Sequence, residues 1–346
     1  MLRVPAPTLR DVAQLAGVHP ATASRALNPQ TRPLVNADTA RKVLRAAESL
    51  GYQPNPIARS LKTARTTTVG LVIPDLTNPL FPPIVRGIED VLSPAGYSAL
   101  IVNTDNDPVR EEAQIESLRS RQVEGLIVAT ARREHPLLVR LHAQGVRMVL
   151  VNRRVDDLEL PAVTADDAVG IGLAVAHLAG LGHRRIAHLA GPQNTSTGVV
   201  RARAFRHAVR DQGLADDPAL VAESAYWSEA DGAQALRRLL DSGVQFTGIV
   251  GGNDLLALGC YDVFHERGLR CPEDISVVGF NGMPFLDKMQ PPLTTVSIPH
   301  HELGFEAARL LLDAIDEPDR MPRSVLLAPS LVVRRSTAPP RPAGTP

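Results

Sequence analysis

The chain has only two cysteines, Cys260 and Cys271, in 346 residues. Two thiols make no disulfide framework and cannot close a four-ligand structural zinc site; they fit a reducing cytosol. No apolar run approaches the roughly 18 residues that signal a membrane span. The opening MLRVPAPTLRDVAQLAG lacks the apolar core and cleavage signature of a secretory leader. A cytoplasmic location without a membrane partner is therefore expected. There is no GxxxxGK[ST] phosphate loop, and Gly170-Ile171-Gly172 lacks the third spaced glycine of a dinucleotide fingerprint. Nothing resembles a nucleophile elbow, and His300-His301-Glu302 fits a helix start better than a metal site. His177, His183 and His188 fall on different elements and read as surface or capping residues. These absences argue against an enzyme and call for no metal or cofactor.

What is present is an uneven charge distribution. Arg3, Arg10, Arg25, Arg32, Arg41, Lys42, Arg45, Arg59, Lys62 and Arg65 stand against Asp11, Asp38 and Glu48, so the first 65 residues carry +7. The whole chain is formally neutral, so the rest carries −7. A basic head on an acidic body suits a protein that meets polyphosphate at one end, although a solvated charged surface gives the same sum.

Inside the basic segment the spacing predicts three helices. Thr8 can cap the first, with Asp11 three residues on, and Leu9, Val12, Ala13 and Ala16 form its apolar stripe. Gly17 ends it. His19-Pro20 starts a second helix that runs to about Asn28. A third spans Asn36 to Gly51. Two short helices joined by a glycine turn and closed by a third form a helix-turn-helix unit. Thr22, Ser24 and Arg25 put hydroxyls and a guanidinium on the second helix, groups suited to phosphate oxygens and a guanine edge. Asn55-Pro56 can start a short helix, IARSLK, followed by the polar linker TARTTT.

From Thr68 the period changes. Apolar strands VGLVI, SALIV, GLIVA and RMVLV alternate with helical patterns at 79–96, 110–121 and 134–144. The cycle resumes with AVTA, RIAHLAG, LVAES, GIVGG and ISVVGF between helices at 168–181, 199–212, 229–241 and 255–267. Such alternation means parallel sheets covered on both faces, and the length favours two similar halves. Polar residues follow the strands: Asp75, Asn103, Asn152, Asp166, Asn253 with Asp254, and Asn281. Each could be a helix cap or a ligand contact.

The run TLRDVAQLAGVHPATASRALN resembles the N-terminal signature of the lactose-repressor/galactose-repressor (LacI/GalR) family of bacterial transcription regulators. GYQPNPIARSLKT, VGLVIPD, LGHRRIAHLAGP, GGNDLLALG, DISVVGF, PPLTTV and PSLVVRRS extend the resemblance, in order, over nearly the whole chain. It implies an all-α helix-turn-helix head and an α/β, type I periplasmic-binding-protein-like body of two lobes. The expected limits are 1–54 for the head, 55–67 for hinge helix and linker, 68–336 for the effector-binding and dimerisation domain, and 337–346 for a disordered, proline-rich tail. The halves should exchange segments, with lobe 1 at 68–165 and 295–327 and lobe 2 at 166–294 and 328–336.

By the same resemblance, Thr22 and Ser24 hold the DNA backbone and Arg25 enters the major groove. Pro20 and Ala21 take the positions that choose bases, by shape or through a thymine methyl. Thr8, Asn28, Asn55, Arg59 and Lys62 complete the expected contacts; His19 stands where the family commonly has Ser, and either caps the helix less well or itself touches phosphate. Leu61 matches the family leucine that wedges into the minor groove; packing between head and body is the alternative. Arg32, in a loop longer than the family's, is either a further backbone contact or solvated.

In the body, Arg201 and Asn253 match residues that hold ligand polar groups, Trp227 a stacking aromatic, and Phe81 a second face. With Asn103, Asn152, Asp166 and Asn281 they form the expected effector site. Asn281 stands where several family members carry Asp. A sugar or sugar derivative is expected, with a purine or another polar metabolite as the alternative. The function implied is a repressor that binds a pseudo-palindromic operator in double-stranded DNA as a homodimer, under allosteric control. A transport solute-binding protein shares the body fold, but the basic head and missing leader argue against it. A sugar-modifying enzyme finds no acid/base pair.

Overall fold

The computed structural model describes residues 7–28, 31–53, 65–318 and 321–341. The chain divides into two compact units, one up to Thr66 and one from Thr67.

The first unit is three helices: α1 (Leu9–Leu15), α2 (Pro20–Leu27) and α3 (Ala37–Leu50). Its core is built mainly from alanine: Ala13, Ala23, Ala26, Ala40, Ala46 and Ala47 pack around Val12 and Val43. Small side chains let short helices approach closely, so the unit holds together with little apolar mass. Thr8 and Asp11 form a reciprocal capping box, and the Asn36 side chain accepts from Asp38 N and Thr39 N.

The second unit holds two six-stranded sheets. The strands are β1 (Thr68–Ile73), β2 (Ser98–Asn103), β3 (Leu126–Val128), β4 (Met148–Val151), β5 (Ala162–Ala165), β6 (Ile186–Ala190), β7 (Val221–Glu223), β8 (Gly248–Gly251), β9 (Ser276–Asn281), β10 (Thr294–Ser297), β11 (Val325–Leu327) and β12 (Ser330–Val332). One sheet runs β11-β5-β4-β3-β1-β2 and the other β12-β10-β9-β8-β6-β7. All pairings are parallel except β10 with β12. The covering helices are α4 (Phe81–Leu92), α5 (Pro108–Ser120), α6 (Pro136–Ala143), α7 (Asp167–Gly180), α8 (Ser196–Asp211), α9 (Glu229–Asp241), α10 (Asp254–Arg267) and α11 (His300–Asp316). α4 and α11 cross at glycines: a Cβ on Gly87 would lie 2.0 Å from His301 O, and one on Gly304 1.9 Å from Ile84 O.

The chain passes from the first sheet to the second after Ala165, returns before β11, and crosses again before β12. The middle crossing, expected near Thr295, lies two residues further on. Val296 and Ser297 still pair with Phe280 and Asn281, so β10 belongs wholly to the second sheet and the crossing follows Ser297. In each sheet the strand order reverses at one place, between β1 and β3 and between β6 and β8. Ligands of open α/β sheets bind at such reversals.

Two expectations fail here. The tail is ordered as far as Arg341, where disorder was expected from 337. Ser336 Oγ accepts from Thr294 N at 2.7 Å and donates to Val277 O at 2.6 Å, Ala338 N donates to Ser276 Oγ at 3.1 Å, and Arg341 pairs with Asp274 at 3.0 Å. Hydrogen bonds hold the segment, and they leave no trace in an apolar count. Its prolines also have little backbone freedom to lose. The other failure concerns the histidines. His183 and His188 are buried, and His177 is half-buried against Thr337.

His188 stacks on Phe205 at 4.7 Å between ring centres, and its Nδ1–H donates to Val250 O at 2.8 Å. Burial lowers its pKa from 6.5 to about 4. The unfolded chain takes up the proton first as pH falls, so stability is lost between pH 6.5 and 4, about 3 kcal/mol in all. His188→Asn keeps the donor without the titration. Its acid-induced loss, followed by urea unfolding at pH 7.5 and pH 4.5, should be smaller than that of the unsubstituted chain by about 2 kcal/mol. Identical losses would mean that His188 is already charged when folded.

Candidate functional site

On α2, Ala23 and Ala26 face the core, while Ala21 and Arg25 are exposed and Thr22 and Ser24 half-buried on the other side. The side chains of Thr22, Ser24 and Arg25 make no hydrogen bond among the described residues, which leaves two hydroxyls and a guanidinium facing outward. His19 Nδ1 accepts from Ala21 N at 3.2 Å, so His19 caps α2 and its Nε2 points away from that bond. Thr8 is committed to its own helix cap: its amide and hydroxyl both donate to Asp11 at 2.7 Å. The longer loop after α2 folds back on that helix. Arg32 Nε donates to Ala26 O at 3.0 Å and Thr31 Oγ1 to Arg25 O at 2.9 Å. These bonds satisfy carbonyls that the helix end leaves open. Asn55, Arg59, Leu61 and Lys62 lie outside the described residues.

In the second unit one cleft is lined from both sheets. Pro74, Asp75, Phe81, Thr104, Glu111, Thr130, Arg132, Asn152 and Arg153 come from the first lobe. Pro192, Thr197, Arg201, Trp227, Asn253 and Asn281 come from the second. The cleft opens above both strand-order reversals: Pro74 and Thr130 follow β1 and β3, and Pro192 and Asn253 follow β6 and β8.

Arg201 organises the second-lobe wall. It is 3% exposed. Nε and Nη2 bond Asp167 Oδ1 at 2.9 and 2.8 Å, and Nη1 donates to Gly252 O at 2.7 Å. The guanidinium lies 3.8 Å from the Phe280 ring centre and 5.7 Å from that of Trp227. Three of its five N–H groups are therefore used, which leaves two on a side chain that lines the cleft. Trp227 lies against the chain at Gly191, where a Cβ would sit 2.0 Å from its Cη2. Asn253 caps α10 by accepting from Leu256 N at 2.8 Å. Beneath them, Asp254 accepts from Thr295 Oγ1 at 2.5 Å and Met283 N at 2.9 Å, fixing the turn that carries Asn281. Burial pushes the Asp254 carboxyl up to about 7, against the pull of those donors.

The first-lobe wall is a charged cluster. Glu111, 1% exposed, accepts from Thr130 Oγ1, from Arg132 Nη2 at 3.2 Å and from His135 Nε2 at 3.2 Å. Burial alone would raise its carboxyl, yet His135, Thr130 and Arg132 together hold it below the usual carboxylate range.

Four buried polar atoms on the cleft lining have no partner: Thr104 Oγ1, Arg153 Nε, Trp227 Nε1 and Asn281 Oδ1. Each unmet group costs on the order of 1–3 kcal/mol. Their convergence on one cleft marks a place built for a polar ligand.

Six of the eight expected effector residues line this cleft: Phe81, Asn152, Arg201, Trp227, Asn253 and Asn281. Asn103 does not. It accepts from Leu76 N at 3.0 Å and donates to Asp105, holding the loop beyond an edge strand. Asp166 does not either. It turns back to cap α7 through Val169 N at 3.0 Å, and its neighbour Asp167 meets Arg201. Glu111, Thr130, Arg132 and Arg153 sit in no motif that singles them out; their signal is their mutual placement.

Among the described residues no helix is long and apolar enough to cross a membrane. A family profile described as bacterial regulatory proteins, lacI family, matches residues 8–55, and one described as a periplasmic binding protein-like domain matches residues 175–337. The chain is 33% identical to the ribose operon repressor of Halalkalibacterium halodurans, over 95% of this chain and 97% of that one. It is 33% identical to the HTH-type transcriptional repressor CytR of Escherichia coli K12, over 96% of each. Among solved structures, the lac repressor dimer bound to operator and the anti-inducer ONPF superposes with a TM-score of 0.86 at 28% identity, over 96% of this chain and 99% of that one. A LacI family regulator from Enterococcus faecium with bound ribose gives 0.69 at 33% identity, over 79% and 99%. The outward polar face of α2, the two-lobed cleft and these matches lead to one conclusion: the chain belongs to the LacI family, as a sequence-specific DNA-binding transcription regulator that is not an enzyme.

Proposed function

We propose that this regulator is a repressor that binds a pseudo-palindromic operator as a homodimer and answers to a small polar effector, a sugar or sugar derivative, in the two-lobed cleft. The observation that carries the effector reading is the cleft wall itself. An aromatic face at Trp227, a guanidinium at Arg201 with N–H groups to spare, and the amides of Asn253 and Asn281 suit a polyhydroxylated ring. Ribose in the Enterococcus faecium regulator supports the same class of ligand. On the head, Thr22 and Ser24 take phosphate oxygens, Arg25 a base edge, and Pro20 and Ala21 select by shape. His19 and Asn28 flank them. Asn55 starts the hinge, Leu61 supplies the minor-groove wedge, and Arg59 and Lys62 hold the adjacent backbone. Ligand shifts the closure of the lobes, and closure sets how the two hinge segments meet on DNA.

Trp227 is the only tryptophan, so its fluorescence reports on the cleft alone. The test titrates the full chain with pentoses, hexoses, their phosphates and nucleosides, with and without promoter DNA from its own gene neighbourhood. A saturable change with one compound, together with a shift in DNA affinity, is the expected result. A compound that changes DNA affinity with Trp227 silent would place the effector elsewhere.

A further inference from the structure

The charges in the cleft do not balance pairwise. Each carboxylate that lines or backs it is already engaged. Asp75 Oδ1 accepts from Thr77 N at 2.8 Å and from its hydroxyl at 2.7 Å. Glu111 is shared by Thr130, Arg132 and His135. Asp167 belongs to Arg201, and Asp254 to Thr295 and Met283. Of the three arginines on the lining, Arg132 and Arg201 have these partners. Arg153 has none. It is 7% exposed, its Nε is buried without an acceptor, and no ion pair reaches it among the described residues. Asn152 precedes it in the chain and Asn281 lines the second-lobe side of the same cleft, so both of these strand ends carry an amide and not a carboxylate. Thr104 adds a hydroxyl with no partner on the same lining.

We infer that the effector carries an anionic group, a carboxylate or a phosphate, seated on the Arg153 guanidinium, with the unpartnered Thr104 hydroxyl on the same cleft lining. This rests on the cleft being the effector site and narrows the ligand class there. A neutral hydroxyl can accept a hydrogen bond from Arg153, but it leaves a buried cation without an ion pair. A planar carboxylate or a phosphate face takes two parallel N–H bonds and cancels the charge. Burial, with Arg201 and Arg132 nearby and against the opposite pull of the Glu111 carboxylate, draws the Arg153 guanidinium down only to about 10, so it is cationic at neutral pH.

The test uses the full chain and Arg153→Met, a side chain of similar reach without charge. With no ligand added, Arg153→Met should raise the melting temperature by about 2–4 °C, because it removes an unpaired buried cation. Inorganic phosphate, glucose 6-phosphate and gluconate are then compared with glucose, by melting temperature and Trp227 fluorescence. At least one anion should stabilise the unsubstituted chain and bind about tenfold or more tightly than glucose. Arg153→Met should lose that advantage, while anions held on the basic head stabilise both proteins equally. A response to gluconate alone names a carboxylate, and one to the phosphates alone names a phosphate. A lower melting temperature for ligand-free Arg153→Met would overturn the proposal, as would no stabilisation by any anion or an anion effect equal in the two proteins. Glucose binding as tightly as its anions would also overturn it, and would leave the effector reading standing.

Discussion

Arg201→Met is expected to lower folding stability by about 3–5 kcal/mol and to abolish the effector response. The size follows from what is left behind. Asp167 is 8% exposed and its near oxygen accepts two bonds from Arg201, so removal of the guanidinium strands a carboxylate in the interior. Gly252 O loses its 2.7 Å donor as well. Burial already holds the Asp167 carboxyl above its ordinary value with Arg201 in place. Adding Asp167→Leu to the variant should recover much of the stability, because no charge then remains to be stranded. It should not recover the response, because the guanidinium that lines the cleft is gone. Urea unfolding and Trp227 titration read the two effects separately. A single variant within about 1 kcal/mol of the unsubstituted chain would show that the Arg201–Asp167 pair contributes little.

The second large effect is expected at Gly191. The indole of Trp227 occupies the space that any side chain there would need, with Cη2 at 2.0 Å and Cζ3 at 2.3 Å from a modest Cβ. Backbone on one side and Gly252 on the other leave the ring no sideways room, since a Cβ on Gly252 would also lie 3.2 Å from Cζ3. Gly191→Ala should therefore push the ring outward. Overpacking of this kind costs about 1–3 kcal/mol. The emission maximum should move to longer wavelength and effector affinity should fall about tenfold or more with the loss of the stacking face. Operator binding without effector should be little changed, because Gly191 lies in the second compact unit and the helix-turn-helix in the first. An unchanged spectrum and response would remove Trp227 from the binding wall.

Much of the architecture was legible because it rests on periodicity and capping chemistry. Thr8 with Asp11, Asn36 and Gly51 punctuate the head, and continuous apolar strands announce buried parallel sheets. The cleft was legible where the family resemblance pointed to Arg201 and Trp227, and where a polar residue ends a central strand, as at Asn152, Asn253 and Asn281. The same rule fails at Asn103 because β2 is an edge strand and its end residue is drawn into the neighbouring loop. It fails at Asp166 because one residue along a helix start turns the side chain by about 100°, which sends Asp166 to its cap and Asp167 to Arg201. Arg153 was invisible for another reason. In a chain whose basic residues are nearly all arginine, one more carries no signal. What distinguishes it is the lack of a partner, a property of the folded cleft. The docked tail was hidden because hydroxyls and main-chain groups hold it.

Selection of bound duplexes from a random-sequence DNA pool by the full chain tests the central claim most directly. The account predicts enrichment of one pseudo-palindrome, two inverted half-sites read by Arg25 and its neighbours, with an affinity that falls steeply as salt is raised. Enrichment of a single unrepeated site would contradict the two-fold repressor, and no enrichment at all would contradict sequence-specific DNA binding.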